Sequence, residues 1–359
     1  MNRSKLFRCS VLAALTGTLA IPAAWTGPVS NYAMKKAVRG GVVWHPVDVE
    51  TMDLLNGPGG EQSFKFREKV ACKYEEKDPK NPLGGHSPKF PCWKDGVRLK
   101  IKYKPESNPE VYSEVAATRL FWALGFYAER MYSVDVVCEN CPVDPWTDDG
   151  SQPRATRTFS PATIQTKLKG EQLWFSAGYH GWEYADLETV SERDGGASKA
   201  QVDAFKLLSV FVNHIDNTAN QQKTLCLPED AKCASPALYV TDLGGTFGGL
   251  SGGISFRKWS KKKIWKDSKA CVADLKGTSG NYADPVISED GRTFLAGLLS
   301  KLSDKQIADL FAGARFDDHA RFEPPIPADQ GKPRPLAISD WVKAFKAKRK
   351  EIADAKCPG

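Results

Sequence analysis

Asn213-His214-Ile215-Asp216-Asn217-Thr218-Ala219-Asn220-Gln221-Gln222 and Tyr239-Val240-Thr241-Asp242-Leu243-Gly244-Gly245 decide how this chain is read. The first stretch follows an apolar run with helical spacing. The second ends a run with strand character. Each therefore places an aspartate just past a regular element. A loop carboxylate can orient a hydroxyl and take its proton. A second carboxylate with amide oxygens close by is a hard-oxygen set suited to magnesium. Taken singly the signals are weak, because such short motifs recur by chance. Asp-Leu-Gly is a common turn tripeptide, and His214 reads more readily as a packed or loop histidine than as a base.

Three features upstream complete a phosphate-handling set. Gly84-Gly85-His86-Ser87-Pro88-Lys89-Phe90 lies between two expected strands, Val70–Tyr74 and Phe90–Trp93. A glycine-rich turn lets backbone N–H groups approach phosphate oxygens closely. Asp95-Gly96 reads as a tight hairpin turn into a third strand, Val97 to Tyr103. In that strand Leu99, Ile101 and Tyr103 face one way, and Arg98, Lys100 and Lys102 the other. A helix follows, with Asn108 as expected cap, Pro109 in its first turn and Gly125 at its end. Its apolar stripe is Val111, Val115, Thr118, Phe121 and Trp122, and Glu114 falls inside that stripe. A carboxylate aimed at a core needs a partner. A strand lysine, Lys102 or else Lys100, is that partner if the set acts together; Arg119 is the plainer alternative.

The order Gly loop, Lys, Glu, Asp loop, Asp-Leu-Gly is that of kinases. Gly84 to Phe90 resembles the Gly-x-x-Pro-Lys loop of HipA-type kinases. Asn213-His-Ile-Asp216 and Val240-Thr-Asp242-Leu-Gly are similar to motifs of HipA, CotH-type and phosphatidylinositol 3/4-kinase-like proteins. Glu114 to Gly125 and Asp242 to Gly248 also look like a family of exported bacterial proteins of undefined activity that share this layout. The resemblance covers roughly residues 45–350. It implies an α+β, two-lobed protein-kinase-like fold with a β-rich N-lobe and a mainly helical C-lobe. It implies Mg2+ and ATP as cofactors and Asp216 as the catalytic aspartate. Gly84, Gly85, Ser87, Lys89, Lys100, Lys102 and Glu114 would bind the nucleotide. Asp242, Gln221 and Asn220 would hold the metal. Five residues after the catalytic aspartate kinases place Asn, and here Gln221 stands there. The pattern therefore leaves two readings: a phosphotransferase acting on a protein or small-molecule acceptor, or a catalytically inactive binding module. A Ser/His hydrolase is disfavoured, since there is no Gly-x-Ser-x-Gly elbow.

The rest of the chain bounds these readings. Arg3, Lys5 and Arg8 precede the uncharged run Cys9 to Ala24, the pattern of a signal peptide over residues 1–24. No later stretch is apolar enough to span a membrane. Export to the periplasm or outside the cell follows as an expectation. Loss of the three basic residues takes the net charge from +7 to +4 (7 − 3), too little to indicate nucleic acid. Eight cysteines remain, an even number suited to disulfides. Cys72–Cys92 and Cys226–Cys233 flank loops and are the expected pairs. Cys138 and Cys141 read as a plain disulfide more readily than as half a zinc site. The expected lobes are residues 25–187 and 188–359, with 176–197 Gly-rich and irregular. Capping boxes Ser198/Gln201 and Ser303/Gln306 open two helices of the second lobe. Ser339 is expected to open the last helix, with Trp341, Val342, Phe345 and Ile352 inward and Lys343 to Lys350 as its solvated face.

Overall fold

A computed structural model describes residues 31–77, 83–173, 181–248, 253–275, 283–327 and 332–358. The expected signal peptide and part of the segment 176–197 lie outside the described residues. After helix α1 (Asn31–Arg39), strands β1 (Lys69–Tyr74), β2 (Lys89–Lys94), β3 (Val97–Lys102), β4 (Arg130–Cys141) and β5 (Ala155–Thr166) close into a barrel in the order β1-β2-β3-β5-β4. Its pairs are antiparallel except β1 with β4, where Cys72 sits opposite Cys138. Leu99 and Ile101 fill the barrel with Phe90, Tyr132, Val134 and Ile164. Strand alternation then sends Lys100 and Lys102 to the outer face. Asp95 and Gly96 both take positive φ, 49° and 77°, the pair of left-handed residues that a two-residue hairpin of this twist demands.

Helix α2 (Glu110–Ala123) follows β3 and ends before Gly125 at φ 84°. Its surroundings differ from the expected single stripe. Every residue from Val111 to Phe121 is buried, because the helix is wedged between β4 and the helical lobe. Nor is Asn108 its cap. Pro109 occupies that position, and the Asn108 amide donates instead to the carbonyls of Pro88 at 3.2 Å and Tyr103 at 3.0 Å. It thereby ties the glycine-rich loop to the end of β3.

The second lobe is mainly helical: α3 (Lys199–Val212), α4 (Phe256–Lys261), α5 (Glu289–Ser300), α6 (Asp304–Gly313), α7 (Phe316–His319) and α8 (Ile338–Asp354). A small sheet of β6 (Glu171–Gln172), β7 (Gln222–Cys226) and β8 (Ala237–Val240) lies where the lobes meet. The architecture is α+β and two-lobed, as expected. Both capping boxes form, at Ser198 with Gln201 and at Ser303 with Gln306. The last helix starts at Ile338, earlier than Ser339, with Ala337 in the cap position and its N–H donating to Asp340 at 2.9 Å. Trp341, Phe345 and Ile352 point inward, but the basic run is not wholly solvated. Lys348 is buried, lies over the Trp259 ring and donates to the Lys262 carbonyl. The α2 residues share one core with Phe205, Phe211, Trp259, Phe311 and Trp341. That helix is therefore the rigid link between barrel and helical lobe.

All eight described cysteines are paired: Cys72–Cys92, Cys138–Cys141, Cys226–Cys233 and Cys271–Cys357. The two expected local pairs and the CxxC disulfide are among them. No helix among the described residues is long and apolar enough to cross a membrane.

One half-buried polar anchor gives the barrel a measurable pH dependence. Asp144, just past β4, accepts from Lys104, from the Tyr103 hydroxyl and from the Thr147 hydroxyl at 2.8 Å. Burial pushes its carboxyl up, but those partners outweigh it and hold it down at about 2. A carboxyl depressed in the folded state binds its proton more readily when unfolded. Its contribution is present above 3.8, the ordinary value, and is lost as pH falls through about 2. Asp144→Asn is expected to lower stability by about 1–2 kcal/mol at pH 7 and by much less near pH 2. Urea unfolding at both pH values measures this, and an equal loss at each contradicts it.

Candidate functional site

The site is built around Lys102. Strand β3 carries it opposite Lys89 of β2, on the face turned toward α2. Its ammonium donates to Glu114 at 2.6 Å and to Glu110 at 2.7 Å. Lys102 and Glu114 are 1% and 0% exposed. Glu110 precedes Glu114 by one helical turn, so both carboxylates project from one side of α2. Asp242 arrives from the end of β8, and carboxylate oxygens of Glu110, Glu114 and Asp242 lie within 4.8 Å of one another. One buried ammonium thus faces three carboxylates. Burial lowers the Lys102 pKa, but Asp242, Glu114 and Glu110 together hold it well above the ordinary lysine range. Burial, with the neighbouring Asp242 and Glu110, pushes the Glu114 carboxyl up, and the Lys102 ammonium at 2.6 Å pulls it back and keeps the pair charged. One Glu114 oxygen, Oε1, is buried without a hydrogen-bond partner. Burial raises Asp242 as well, but Lys102 and the Gly244 N–H at 2.9 Å outweigh it and hold it ionised.

Asp216 comes to the same place from α3. That helix stops at Asn213 in the left-handed region, φ 57°, which turns the chain sharply toward β8. His214 is fully buried, with Nδ1 3.3 Å from the Tyr184 hydroxyl. Burial pushes it down to about 4, so at neutral pH it is an uncharged packing residue. The Ile215 N–H donates to the Gly245 carbonyl at 3.1 Å, and the Thr241 N–H to the Gln221 carbonyl at 2.8 Å. The two aspartate loops are stitched together by these bonds. The Gln221 amide donates to Asp216 Oδ2 at 3.1 Å. Gly244 and Gly245 allow the approach: a Cβ on Gly244 would stand 2.6 Å from Glu110 Cγ, and one on Gly245 3.3 Å from Asp216 Cβ.

A cleft of about 1010 Å³ opens between the lobes in front of this cluster. Gly84, Gly85, Lys89, Lys100, Gln221 and Asp242 line it, with Asn220 at the rim. Lys102 and Glu114 sit behind that wall, and Ser87 is not part of it. Gly85 has φ 84° and lies against the Lys89 ammonium. Burial, with repulsion from Lys100 and Lys102, lowers Lys89 to about 8. Burial and the Lys102 charge also push the Lys100 ammonium below the ordinary lysine range. Two residues of the cluster escape a motif reading. Glu110 has a usable signal, its one-turn spacing from Glu114. Glu129 has none: it stands at the approach to β4, buried at the back of the cleft. Burial pushes it up to about 7 against Lys100 and Lys167.

The oxygens of Asp242, Gln221 and Asn220 are of the hard kind that magnesium takes, and the ionised state of Asp242 fits that use. Chemically, the cleft offers a glycine turn, ammonium groups of Lys89 and Lys100 and the Asp242 carboxylate; Asp216 is not among its lining residues, but its loop is bonded to that of Asp242.

Neither protein-family models nor curated proteins match the chain. Among solved structures it is similar to a Helicobacter pylori proinflammatory kinase, CtkA. The identity is 10% and the TM-score 0.41, over 77% of this chain and 92% of that one. At that distance the likeness says nothing of substrate or activity.

Proposed function

We propose that this protein is an exported, kinase-like phosphotransferase that uses a magnesium nucleotide, with ATP the simplest donor. The observation that carries the reading is the buried Lys102–Glu114 pair set against Asp242, with the Asp216 loop bonded to the Asp242 loop. In this reading Asp216 accepts the proton of the acceptor hydroxyl. Lys89 and Lys100 meet phosphate oxygens, with the Gly84–Gly85 turn closing over them. Lys102, held by Glu114 and Glu110, keeps Asp242 ionised from behind. Asp242, Gln221 and Asn220 would hold magnesium, which supplies charge neutralisation on the phosphates when bound. Four disulfides and the basic-then-apolar N-terminus support export.

A folded-state ligand stabilises by mass action, about 2.7 kcal/mol at a hundredfold excess over Kd. Thermal melting is expected to shift upward with Mg-ATP and far less with ATP in excess EDTA. No shift under either condition removes the nucleotide from the proposal.

One observation favours a second reading, a nucleotide-binding module without turnover. Gln221 replaces the shorter amide of kinases and spends its N–H on Asp216. In that case Asp216→Asn leaves both nucleotide binding and biological output unchanged.

A further inference from the structure

The front of the cleft is the glycine turn, Lys89 and Asp242; its back is closed by bonds between the lobes. There the Glu129 N–H donates to the Val240 carbonyl at 2.9 Å, and the Gln165 amide to the Thr241 carbonyl at 3.3 Å. Lys100, Lys167 and Lys223 stand around this seam, with Glu129 the carboxylate among them. In a kinase-like cleft the back is where the donor's nucleoside would lie, and small-molecule pockets of that kind are mostly apolar. Here Lys100, Lys167 and Lys223 stand in it beside the apolar Val97 and Leu168.

The charge count runs the same way along the whole cleft. Among the described residues, seven lysine and arginine side chains line it against three carboxylates. Two of the seven are answered locally, Lys169 by Glu61 at 2.7 Å and Arg98 by Glu75 at 2.6 Å. Lys89, Lys100 and Lys167 make no ion pair among the described residues. Lys89 is only 7% exposed, with no ion pair among the described residues and its ammonium 5.8 Å from the Trp146 ring centroid. Crowded ammonium groups in a concave, partly desolvated site raise the local concentration of anions. They also gain most from a ligand that brings several charges at once.

We infer that the cleft takes a phosphate donor that is anionic along its length, an inorganic polyphosphate chain, with its terminal phosphate at Asp242 and a remote one among Lys100, Lys167 and Lys223. The inference rests on the phosphotransferase reading and replaces the nucleotide named there as its simplest donor. In the transfer, the P–O bond between the terminal phosphorus and the bridging oxygen breaks, and the chain leaves one phosphate shorter. The acceptor oxygen forms the new P–O bond, and its proton goes to Asp216. No further reactant is required.

Isothermal titration of the full mature chain in magnesium tests this, with tripolyphosphate, long-chain polyphosphate, Mg-ATP and adenosine as probes. The long chain is expected to bind about tenfold tighter than tripolyphosphate, the gain of one or two added charge-assisted bonds. Lys167→Glu is expected to remove most of that gain; Lys167 is exposed, so this variant keeps the fold whatever Lys223→Gln does. Adenosine is expected not to displace the chain. The inference is overturned if adenosine displaces it, or if both variants leave the long-chain affinity unchanged. Binding of Mg-ATP without the chain overturns the polyphosphate donor and leaves the phosphotransferase reading standing. Binding of neither overturns both.

Discussion

Lys102→Met is expected to cost this protein about 3–5 kcal/mol of stability, the range for breaking a buried ion pair by removing one partner. The physical reason is the imbalance left behind. Glu110, Glu114 and Asp242 bring carboxylate oxygens within 4.8 Å of one another, and Lys102 is the ammonium that donates to two of them. Without it, three carboxylates must shed charge or separate. Separation is blocked, because α2 is buried all round and Asp242 is pinned by the Gly244 N–H. Taking up protons is the remaining route, so the loss should shrink as pH falls toward the ordinary carboxylate range. Lys100→Met is the matched control. Lys100 lies on the same strand face and makes no ion pair among the described residues, and burial already lowers its pKa. Its replacement should cost little. Urea unfolding of both variants at pH 7 and pH 5 makes the comparison. A loss below about 1 kcal/mol for Lys102→Met would mean that the cluster is far wetter than its burial implies.

Asp216→Asn is expected to lower kcat by about 10²–10⁴, the usual share of a positioned general base. Substrate and nucleotide binding should change little, because the amide is nearly the same shape and can still meet Gln221. Single-turnover phosphate transfer, with the nucleotide or polyphosphate donor that binds best, measures the effect. The informative split is between kcat and KM: a base lost in the transition state lowers kcat, whereas a disturbed loop raises KM. An unchanged kcat assigns proton removal to another group and favours the binding-module reading. Asp216 is well suited to such a test because its loop is fixed from both sides. The Asn213 turn sets its entry, and the Ile215 to Gly245 bond holds it against the Asp242 loop.

The parts of this site that were legible in the sequence share one property: they are local. The hairpin at Asp95-Gly96, both capping boxes and the alternation along β3 depend on neighbours a few residues away, and each is found as read. Glu114 was conspicuous for the same reason, an acidic residue in an apolar stripe. Where the local reading failed, a distant element had intervened. Asn108 gave up its cap role because Pro88 and Tyr103 carbonyls lay within reach. Lys348 turned inward because the Lys262 carbonyl and the Trp259 ring offered it a better place than water. The single stripe on α2 became a fully buried surface because two lobes pack against it.

Strand period, turn chemistry, helix caps and the order of the charged motifs were therefore determined by the sequence alone, since each is settled by short-range sterics and hydrogen bonds. The tertiary structure alone decided which charges meet. It brought Asp242 to Lys102 across 140 positions (242 − 102), buried Glu129, and left Lys89 and Lys100 facing an open cleft. Coulomb energy falls with distance in space and is indifferent to distance along the chain, so no spacing rule could have shown it.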